Sequence, residues 1–215
     1  QVMGFVKRES WSASQELAKE RGAFPNYDKS IFAEKRIQPL RNATVTTIAP
    51  TGTISLIAGC SPGIEPLFAI AYEKHVMDND KLLEVHNDFV KVARDNNFYS
   101  KELMERVAHQ GNLNGISEIP EHIARIFVTS HNISPEWHIR MQAAFQKHTD
   151  NAVSKTVNFP FDATKKDIET VFRLAHQLEC KGVTVYRDGS RDAQVLNVAG
   201  TKKADRIKDS SPMLL

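Results

Sequence analysis

The residues best suited to chemistry lie in one short run rich in hydroxyl groups. Its members are Pro50, Thr51, Gly52, Thr53, Ile54 and Ser55. The run follows residues 43–49, whose β-branched side chains predict a strand that ends at the proline. Hydroxyls and backbone N–H groups at such a turn can bind an anion, and glycine allows the backbone to approach closely. The run can therefore form an anion-binding loop, but it lacks the Gly-x-x-x-x-Gly-Lys-Ser/Thr pattern of nucleotide P-loops, and on local grounds an ordinary Thr/Ser-rich turn after a strand is the simpler interpretation.

Three further reactive side chains have a structural interpretation. Cys60 and Cys180 belong to no Cys-x-x-Cys pair, so the sequence indicates neither a metal ribbon nor a disulfide framework. We expect both thiols to be buried and structural, and Glu65 to hydrogen-bond backbone or to brace the rim of the fold. The eight histidines show no spacing that places two ligands on one helical face, so we expect no metal site.

A charged turn near the C-terminal end offers two further cations. Arg187 and Arg191 flank Asp188, Gly189 and Ser190. The guanidinium groups could meet a phosphate, a partner loop or neighbouring carboxylates. The Asp-Gly pair favours the simpler interpretation, which is a charged β-turn after a strand.

Composition and charge argue against several classes of partner. The 215 residues carry 28 Lys and Arg against 26 Asp and Glu, and this near balance favours neither nucleic acid nor a membrane surface. The sequence contains no stretch of about 18 apolar residues, and its first residues do not resemble a signal peptide. We expect a cytoplasmic protein. Because the first residue is Gln1 and not a methionine, we also expect a fragment or a processed chain.

Several helices must position these residues. Helical spacing of apolar side chains predicts helices over residues 10–22, 81–97, 101–109 and 120–127. Gly22 is placed to end the first helix in the left-handed conformation, and Ser100 to cap the third. A further helix begins at Ser134, and the residues predicted for its core face are Trp137, Met141, Ala144, Phe145 and His148.

The last third of the sequence predicts a parallel βαβ unit. A strand over residues 154–159 is followed by a helix capped by Thr164 and by a second strand over residues 183–186. The residues expected on the inward face of this helix are Ile168, Val171, Phe172, Ala175 and Leu178. We assign residues 1–196 to one folded unit and residues 197–215, which are polar and aperiodic, to a linker or mobile tail.

Four segments resemble the adenosylcobalamin-dependent, class II ribonucleotide reductases. The longest is RNATVTTIAPTGTISLIAGCSPGIEPLFA, residues 41–69. The remaining three are ELAKERGAFPNYDKS (16–30), HIRMQAAFQKHTDNAVSKTVNFP (138–160) and CKGVTVYRDGSRDAQVL (180–196). They occur in the family's order, and they cover most of the chain outside residues 72–137 and the tail.

The resemblance implies the fold class α/β, as the C-terminal portion of a ten-stranded α/β barrel. It also implies a reaction that converts ribonucleotides to 2′-deoxyribonucleotides by a thiyl radical. Pro50, Thr51, Gly52, Thr53, Ile54 and Ser55 would then bind the 5′ phosphates of the ribonucleotide substrate. The hydroxyls of Thr51, Thr53 and Ser55 would donate to the phosphates, and Gly52 and Ile54 would act through their backbone amides.

The family's radical chemistry uses an Asn-x-Cys-x-Glu motif, which has no match in this sequence. We therefore expect no catalytic residue in this chain, and as its partner an upstream portion of the reductase that carries the radical cysteine. The resemblance implies adenosylcobalamin as the cofactor of the complete enzyme. Assembly into homo-oligomers is left open, as is the choice between di- and triphosphate substrates.

Three different assignments stay open beside class II. The first is a class I large subunit, which needs a metal-radical subunit and resembles Leu-Tyr-Tyr where this chain has Val185 before a single Tyr186. Valine cannot relay a radical, so this difference favours class II. The second is a non-catalytic C-terminal subunit of a split reductase, and the third is a stand-alone phosphate-binding module.

Overall fold

The computed structural model describes residues 1–67, 69–75 and 81–190. Within these ranges the helices are α1 (Val2–Arg21), α2 (Ile31–Glu34), α3 (Gly52–Ala58), α4 (Asn87–Asp95), α5 (Lys101–Gln110), α6 (Glu121–Ala124), α7 (Pro135–Gln146) and α8 (Lys165–Gln177). The strands are β1 (Ala71–His75), β2 (Lys81–Val85), β3 (Thr156–Phe159) and β4 (Thr184–Arg187). The predicted tail, residues 197–215, lies outside the described residues, and so does the end of the predicted folded unit, residues 191–196.

The predicted βαβ unit is confirmed. Strands β3 and β4 are parallel, with Val157 opposite Val185, and α8 connects them. The Thr164 hydroxyl accepts the Asp167 N–H and the Asp167 carboxylate accepts the Thr164 N–H, which together satisfy free donors at the start of α8. The core beneath is formed by Ile139, Val157, Phe159, Val171 and Ala175. The prediction for Phe172 is wrong, because its side chain is exposed.

A second core belongs to the hairpin of β1 and β2 and the helices that follow it. The two strands are antiparallel, and the buried residues around them and α4 to α6 are Ile70, Phe89, Ala93, Leu103, Met104, Val107, Leu113, Ile119 and Ile123. The predicted cap at Ser100 is confirmed, since its hydroxyl accepts the N–H of Leu103 at 3.0 Å. The predicted helix over residues 120–127 is shorter and corresponds to α6 alone.

The prediction of one helix over residues 81–97 is wrong in its first part. Residues Lys81–Val85 pair with β1 as a strand, and the helix begins only at Asn87. His86 separates the two elements, because its ψ of 126° is not helical and its ring nitrogen accepts the N–H of Asp88. Apolar residues at helical spacing are thus divided between a strand and a helix.

The prediction of a strand over residues 43–49 is also wrong. The segment makes a single parallel bridge, between Ile48 and Val153. Upstream of the bridge one backbone bond, from the Asn151 N–H to the Thr46 carbonyl, is joined by two side-chain bonds. The Asp150 carboxylate accepts the Val45 N–H, and the Thr46 hydroxyl accepts the Asp150 N–H. The segment nevertheless lies beside the residues that precede β3, and its position there determines where the hydroxyl-rich run begins.

Two helices differ from their predicted extent or orientation. Helix α1 begins at Val2 instead of residue 10, and Gly22 ends it with φ 77° and ψ 164°, a positive φ but not the predicted left-handed helical conformation. Helix α7 buries His138, Ile139, Gln142, Ala143 and Gln146. The predicted core face of α7 is wrong, since Trp137 is 65% and Met141 50% exposed.

Candidate functional site

The hydroxyl-rich run forms the start of the short helix α3. The helix begins at Gly52, and the Ser55 N–H donates to the Thr51 carbonyl at 3.0 Å. The buried Ser55 hydroxyl donates to the Gly52 carbonyl at 2.7 Å, so its hydrogen is used within the turn. The Thr53 side chain is exposed and has no hydrogen-bond partner among the described residues. The Thr51 hydroxyl likewise has no hydrogen-bond partner among the described residues, so the run presents two uncommitted hydroxyls. It also presents the N–H groups of a first helical turn, which have no intrahelical partners.

A cavity of about 720 Å³ lies against this run. The run contributes Gly52, Thr53 and Ser55 to its lining, whereas Pro50, Thr51 and Ile54 do not line it. The remaining lining includes Cys60, Glu65, Val85, His86, Asn87, Ser130, Thr156 and Asn158. The volume lies in the range of sites for drug-sized molecules, about 300 to 1,000 Å³, and a nucleotide is of that size.

Glu65 and the buried Lys155 form an ion pair in the wall of the cavity. The Lys155 ammonium donates to the Glu65 carboxylate at 2.6 Å and to the Thr156 carbonyl at 2.9 Å. The second Glu65 oxygen accepts the Thr156 N–H at 2.6 Å, so the predicted bond from Glu65 to backbone is confirmed. Burial lowers the pKa of Lys155, and the hydrogen bond and charge of Glu65 oppose that effect.

His138 of α7 extends this network behind the cavity. Its Nδ1 lies 2.7 Å from the Lys155 ammonium, and its Nε2 lies 3.0 Å from the Ser130 carbonyl. Because an ammonium only donates, Nδ1 accepts and Nε2 carries the proton, which makes the ring neutral. Burial and then the charge of Lys155 lower the pKa of His138, in agreement with a neutral ring. The Ser130 hydroxyl is buried without a hydrogen-bond partner among the described residues.

The two cysteines differ in their surroundings. Cys60 is exposed and lines the cavity, so the expectation of a buried thiol is wrong at this position. Cys180 is half-buried against the core of the βαβ unit, and burial raises the pKa of its thiol. The Cys180 N–H donates to the Ala175 carbonyl at the end of α8. This position agrees with a structural role for Cys180.

The predicted charged turn is present and lies outside the cavity lining. The Ser190 N–H donates to the Arg187 carbonyl at 3.1 Å, and Gly189 has a φ of 75°. The Arg187 guanidinium donates to the Phe161 carbonyl at 3.0 Å and lies over the Phe161 ring. Arg187 therefore joins the turn to the end of β3, as the interpretation of a structural β-turn predicts. Arg191 lies outside the described residues.

Several cavity residues were not singled out from the sequence. His86 and Asn87 lie at the junction of β2 and α4, in a stretch predicted to be one helix. Ser130 belongs to a short 3-10 turn, Ser130–Asn132. Lys155, which bonds to the lining residue Glu65 without lining the cavity itself, belongs to a segment predicted as plain strand. None of these residues belongs to a recognisable motif, because their proximity arises from the tertiary fold alone.

The described residues include neither a metal-binding cluster nor a membrane-spanning helix. Among residues 1–67, 69–75 and 81–190, no group of three or more His, Cys, Asp or Glu side chains could hold a metal ion. Over the same residues, every helix is too short or too polar to cross a membrane.

The model of one protein family, described as "Ribonucleotide reductase, barrel domain", matches residues 1–186. This chain belongs to that family. The reductase barrel chain is 51% identical over 206 residues to the vitamin B12-dependent ribonucleoside-diphosphate reductase of Thermoplasma acidophilum. It is 47% identical over 201 residues to the protein of the same name from Mycobacterium tuberculosis. These matches cover 95% and 94% of this chain, but the chain spans only 27% and 28% of the length of those relatives.

A solved structure agrees with the α/β barrel fold. The alpha subunit of the class Id ribonucleotide reductase of Actinobacillus ureae superposes with a TM-score of 0.71 and 22% sequence identity. The superposition covers 87% of this chain and 33% of that subunit. The predicted fold class, part of the α/β barrel of ribonucleotide reductases, is thus confirmed.

Proposed function

We propose that this reductase barrel chain supplies the phosphate-binding part of the substrate site in an adenosylcobalamin-dependent ribonucleotide reductase. The complete reductase, this chain together with an upstream portion that carries the radical cysteine, would convert ribonucleotides to 2′-deoxyribonucleotides in the cytoplasm. The observation that carries the proposal is the cavity of about 720 Å³ against Gly52, Thr53 and Ser55. The names of the relatives, vitamin B12-dependent reductases, support the cofactor class.

The residues of the run would act in different ways. Of the two hydroxyls without a partner, that of Thr53 lines the cavity and would donate to a phosphate oxygen, whereas Ser55 holds the turn through its bond to the Gly52 carbonyl. The backbone N–H groups of Gly52 and Ile54 lie in the first turn of α3 and would donate to phosphate. Pro50 and Thr51 precede the helix and would set the path of the backbone into that turn.

The cavity fits a nucleotide and does not fit adenosylcobalamin, whose corrin ring and nucleotide tail make it several times larger than a substrate nucleotide. We therefore assign no described residue of this chain to the cofactor. When bound in the complete reductase, the cofactor would supply the radical that oxidises the upstream cysteine. The part of this chain would be to hold the substrate by its phosphates, since a fixed geometry of the reacting groups lowers the barrier of the chemical step.

The substitution Thr53→Val tests the phosphate-binding role. Valine keeps the shape of threonine and removes its hydroxyl, so one hydrogen bond to a charged phosphate is lost. Such a bond contributes about 1.5 to 3 kcal/mol, and we expect the affinity of the complete reductase for a ribonucleoside diphosphate to fall about ten- to a hundredfold. Calorimetric titration measures the change. Thr170→Val, on the exposed face of α8, is the matched control, and equal affinities of the two variants would contradict the assignment.

The substitution Tyr186→Phe separates class II from class I. Tyr186 is half-buried in β4, opposite Asn158, and valine precedes it, so the chain lacks the second tyrosine of a radical relay. We expect Tyr186→Phe to retain most of the turnover of the complete reductase with adenosylcobalamin and without a metal-radical subunit. Loss of turnover, measured as deoxyribonucleotide formed, or a strict need for such a subunit would move the chain to class I.

A further inference from the structure

The cavity wall contains a negative charge where an anionic ligand is expected. Glu65 lines the cavity together with Gly52 and Thr53, and its side chain is partly exposed there. Like charges that share a small cavity repel each other, so an uncompensated carboxylate would weaken the binding of a phosphate group. A phosphate-binding cavity that retains Glu65 therefore needs a cation beside that carboxylate.

Lys155 is that cation, and it is enclosed by protein. It is 2% exposed and does not line the cavity, so its ammonium reaches the ligand only through its effect on Glu65. Its donors go to the Glu65 carboxylate, the Thr156 carbonyl and His138 Nδ1. Of these partners only Glu65 is anionic, because His138 Nδ1 accepts from the Lys155 ammonium, and burial and the charge of Lys155 lower the His138 pKa. The charges of the network thus sum to zero.

Both oxygens of Glu65 are also fixed in place. One accepts from Lys155 and the second from the Thr156 N–H, at 2.6 Å each. Neither oxygen needs a ligand to complete its hydrogen bonding, which argues against direct recognition of the substrate by Glu65. Low local dielectric strengthens such short charged contacts, so the pair keeps its geometry when a ligand fills the cavity.

We propose that Lys155 is a positioning residue that neutralises Glu65, so that the cavity accepts the phosphates of a ribonucleotide. This role rests on the proposed function of the cavity. It adds to that function a residue that lies outside the hydroxyl-rich run and immediately precedes β3. A merely structural ion pair would stabilise the fold without changing the affinity for anions, and this difference makes the two roles separable.

The test compares two substitutions whose electrostatic effects have opposite signs. Cytidine diphosphate is titrated into the complete reductase, and the Tm of each variant is measured in parallel. We expect Lys155→Met to weaken binding about tenfold or more, because Glu65 is left uncompensated. We expect Glu65→Gln to strengthen binding severalfold while its Tm falls, since the cation remains and a backbone contact is lost. The double variant should bind with nearly wild-type affinity.

The matched controls are Lys166→Met and Glu169→Gln, which change exposed residues of α8 and should leave affinity and Tm unchanged. A fall in affinity with Glu65→Gln, in step with its Tm, would overturn the proposal in favour of a structural pair. If Lys155→Met does not fold, Glu65→Gln alone still decides between the two roles. Wild-type protein that binds neither cytidine diphosphate nor cytidine triphosphate would refute the proposed function and this role together. Binding that Thr53→Val weakens and neither charge variant alters would refute only this role.

Discussion

The substitution Phe159→Ala is expected to lower the free energy of unfolding by about 3 to 5 kcal/mol, the usual cost of truncating a fully buried phenylalanine. Phe159 is 1% exposed and packs with Ile139, Val171 and Ala175 between β3, α7 and α8. Its removal leaves a cavity where three elements meet, and neighbours held by two strands and two helices can close it only in part. Urea denaturation of wild type and variant measures the change, provided that the free energy of unfolding falls with urea concentration at the same slope for both proteins.

Phe161 provides a control two residues further along the same segment. It is 49% exposed, and its ring lies under the Arg187 guanidinium, with 5.6 Å between Arg187 Cζ and the ring centroid, instead of in the core. We expect Phe161→Ala to lower the free energy of unfolding by less than about 1 kcal/mol. Similar losses for the two substitutions would show that the core of the βαβ unit does not depend on Phe159 as the packing indicates.

The βαβ unit could be predicted because local signals agree with the tertiary structure. Thr164 and Asp167 form a capping box that depends on residues three apart, and β3 and α8 follow each other with a short connection. The same holds for the Ser100 cap of α5. Where capping, periodicity and short loops indicate the same element, its prediction from sequence depends little on contacts with distant residues.

Elements held by distant residues could not be predicted in the same way. The segment over residues 43–49 is bound by the Asp150 carboxylate, 105 residues away from Val45 in sequence. The strand β2 exists because β1 pairs with it, and this pairing overrides the helical spacing of its apolar residues. Propensity is a weak signal where a tertiary partner supplies the backbone hydrogen bonds.

The candidate site likewise combines a part that local sequence indicates with a part that only the tertiary fold brings together. The hydroxyl-rich run is contiguous, so its residue types together with the family resemblance allowed a phosphate-binding loop to be predicted, and the structure places Gly52, Thr53 and Ser55 against a cavity. The rest of the lining includes His86, Ser130 and Asn158, which lie far from the run and from each other in sequence. Lys155 was hidden in a segment predicted as strand, because its role depends on Glu65, 90 residues earlier.

Helix α7 shows most clearly where hydropathy fails. Its buried face carries His138, Gln142 and Gln146, whereas the apolar Trp137 and Met141 are exposed. The buried side chains bind backbone that secondary structure leaves free: Gln146 donates to the carbonyls of Thr149 and Asn151. A buried backbone group without a partner is costly, so polar residues occupy positions that apolar residues would otherwise take. Periodicity of apolar residues therefore selects the wrong face of this helix.

Gln142→Leu tests this explanation, because hydropathy predicts that the substitution stabilises the fold, whereas the lost hydrogen bonds predict that it destabilises the fold. Gln142 is fully buried and donates to the Val153 carbonyl at 3.1 Å and to the Gly182 carbonyl at 2.6 Å, so it joins the chain before β3 to the chain before β4. Leucine has a similar volume and is more apolar, and its burial alone would stabilise the fold. It leaves two carbonyls without their donor, however, and this loss is offset only in part by removal of the buried Gln142 side-chain oxygen, which has no partner among the described residues. We expect a net loss of about 1 to 3 kcal/mol in the free energy of unfolding.

The adjacent substitution Met141→Gln completes the comparison, because it places the same amide on the exposed face of α7. Met141 is 50% exposed, and both residues have high helix propensity, so we expect a change within about 0.5 kcal/mol. Thermal and urea unfolding of wild type and both variants measure the changes in the free energy of unfolding. If Gln142→Leu stabilised the chain and Met141→Gln destabilised it, hydropathy would have identified the core face correctly and the hydrogen bonds of Gln142 would contribute little. We expect instead that Gln142→Leu destabilises the chain and that Met141→Gln changes its stability little. That result would show that a polar residue of α7 helps to hold the two parallel strands in register.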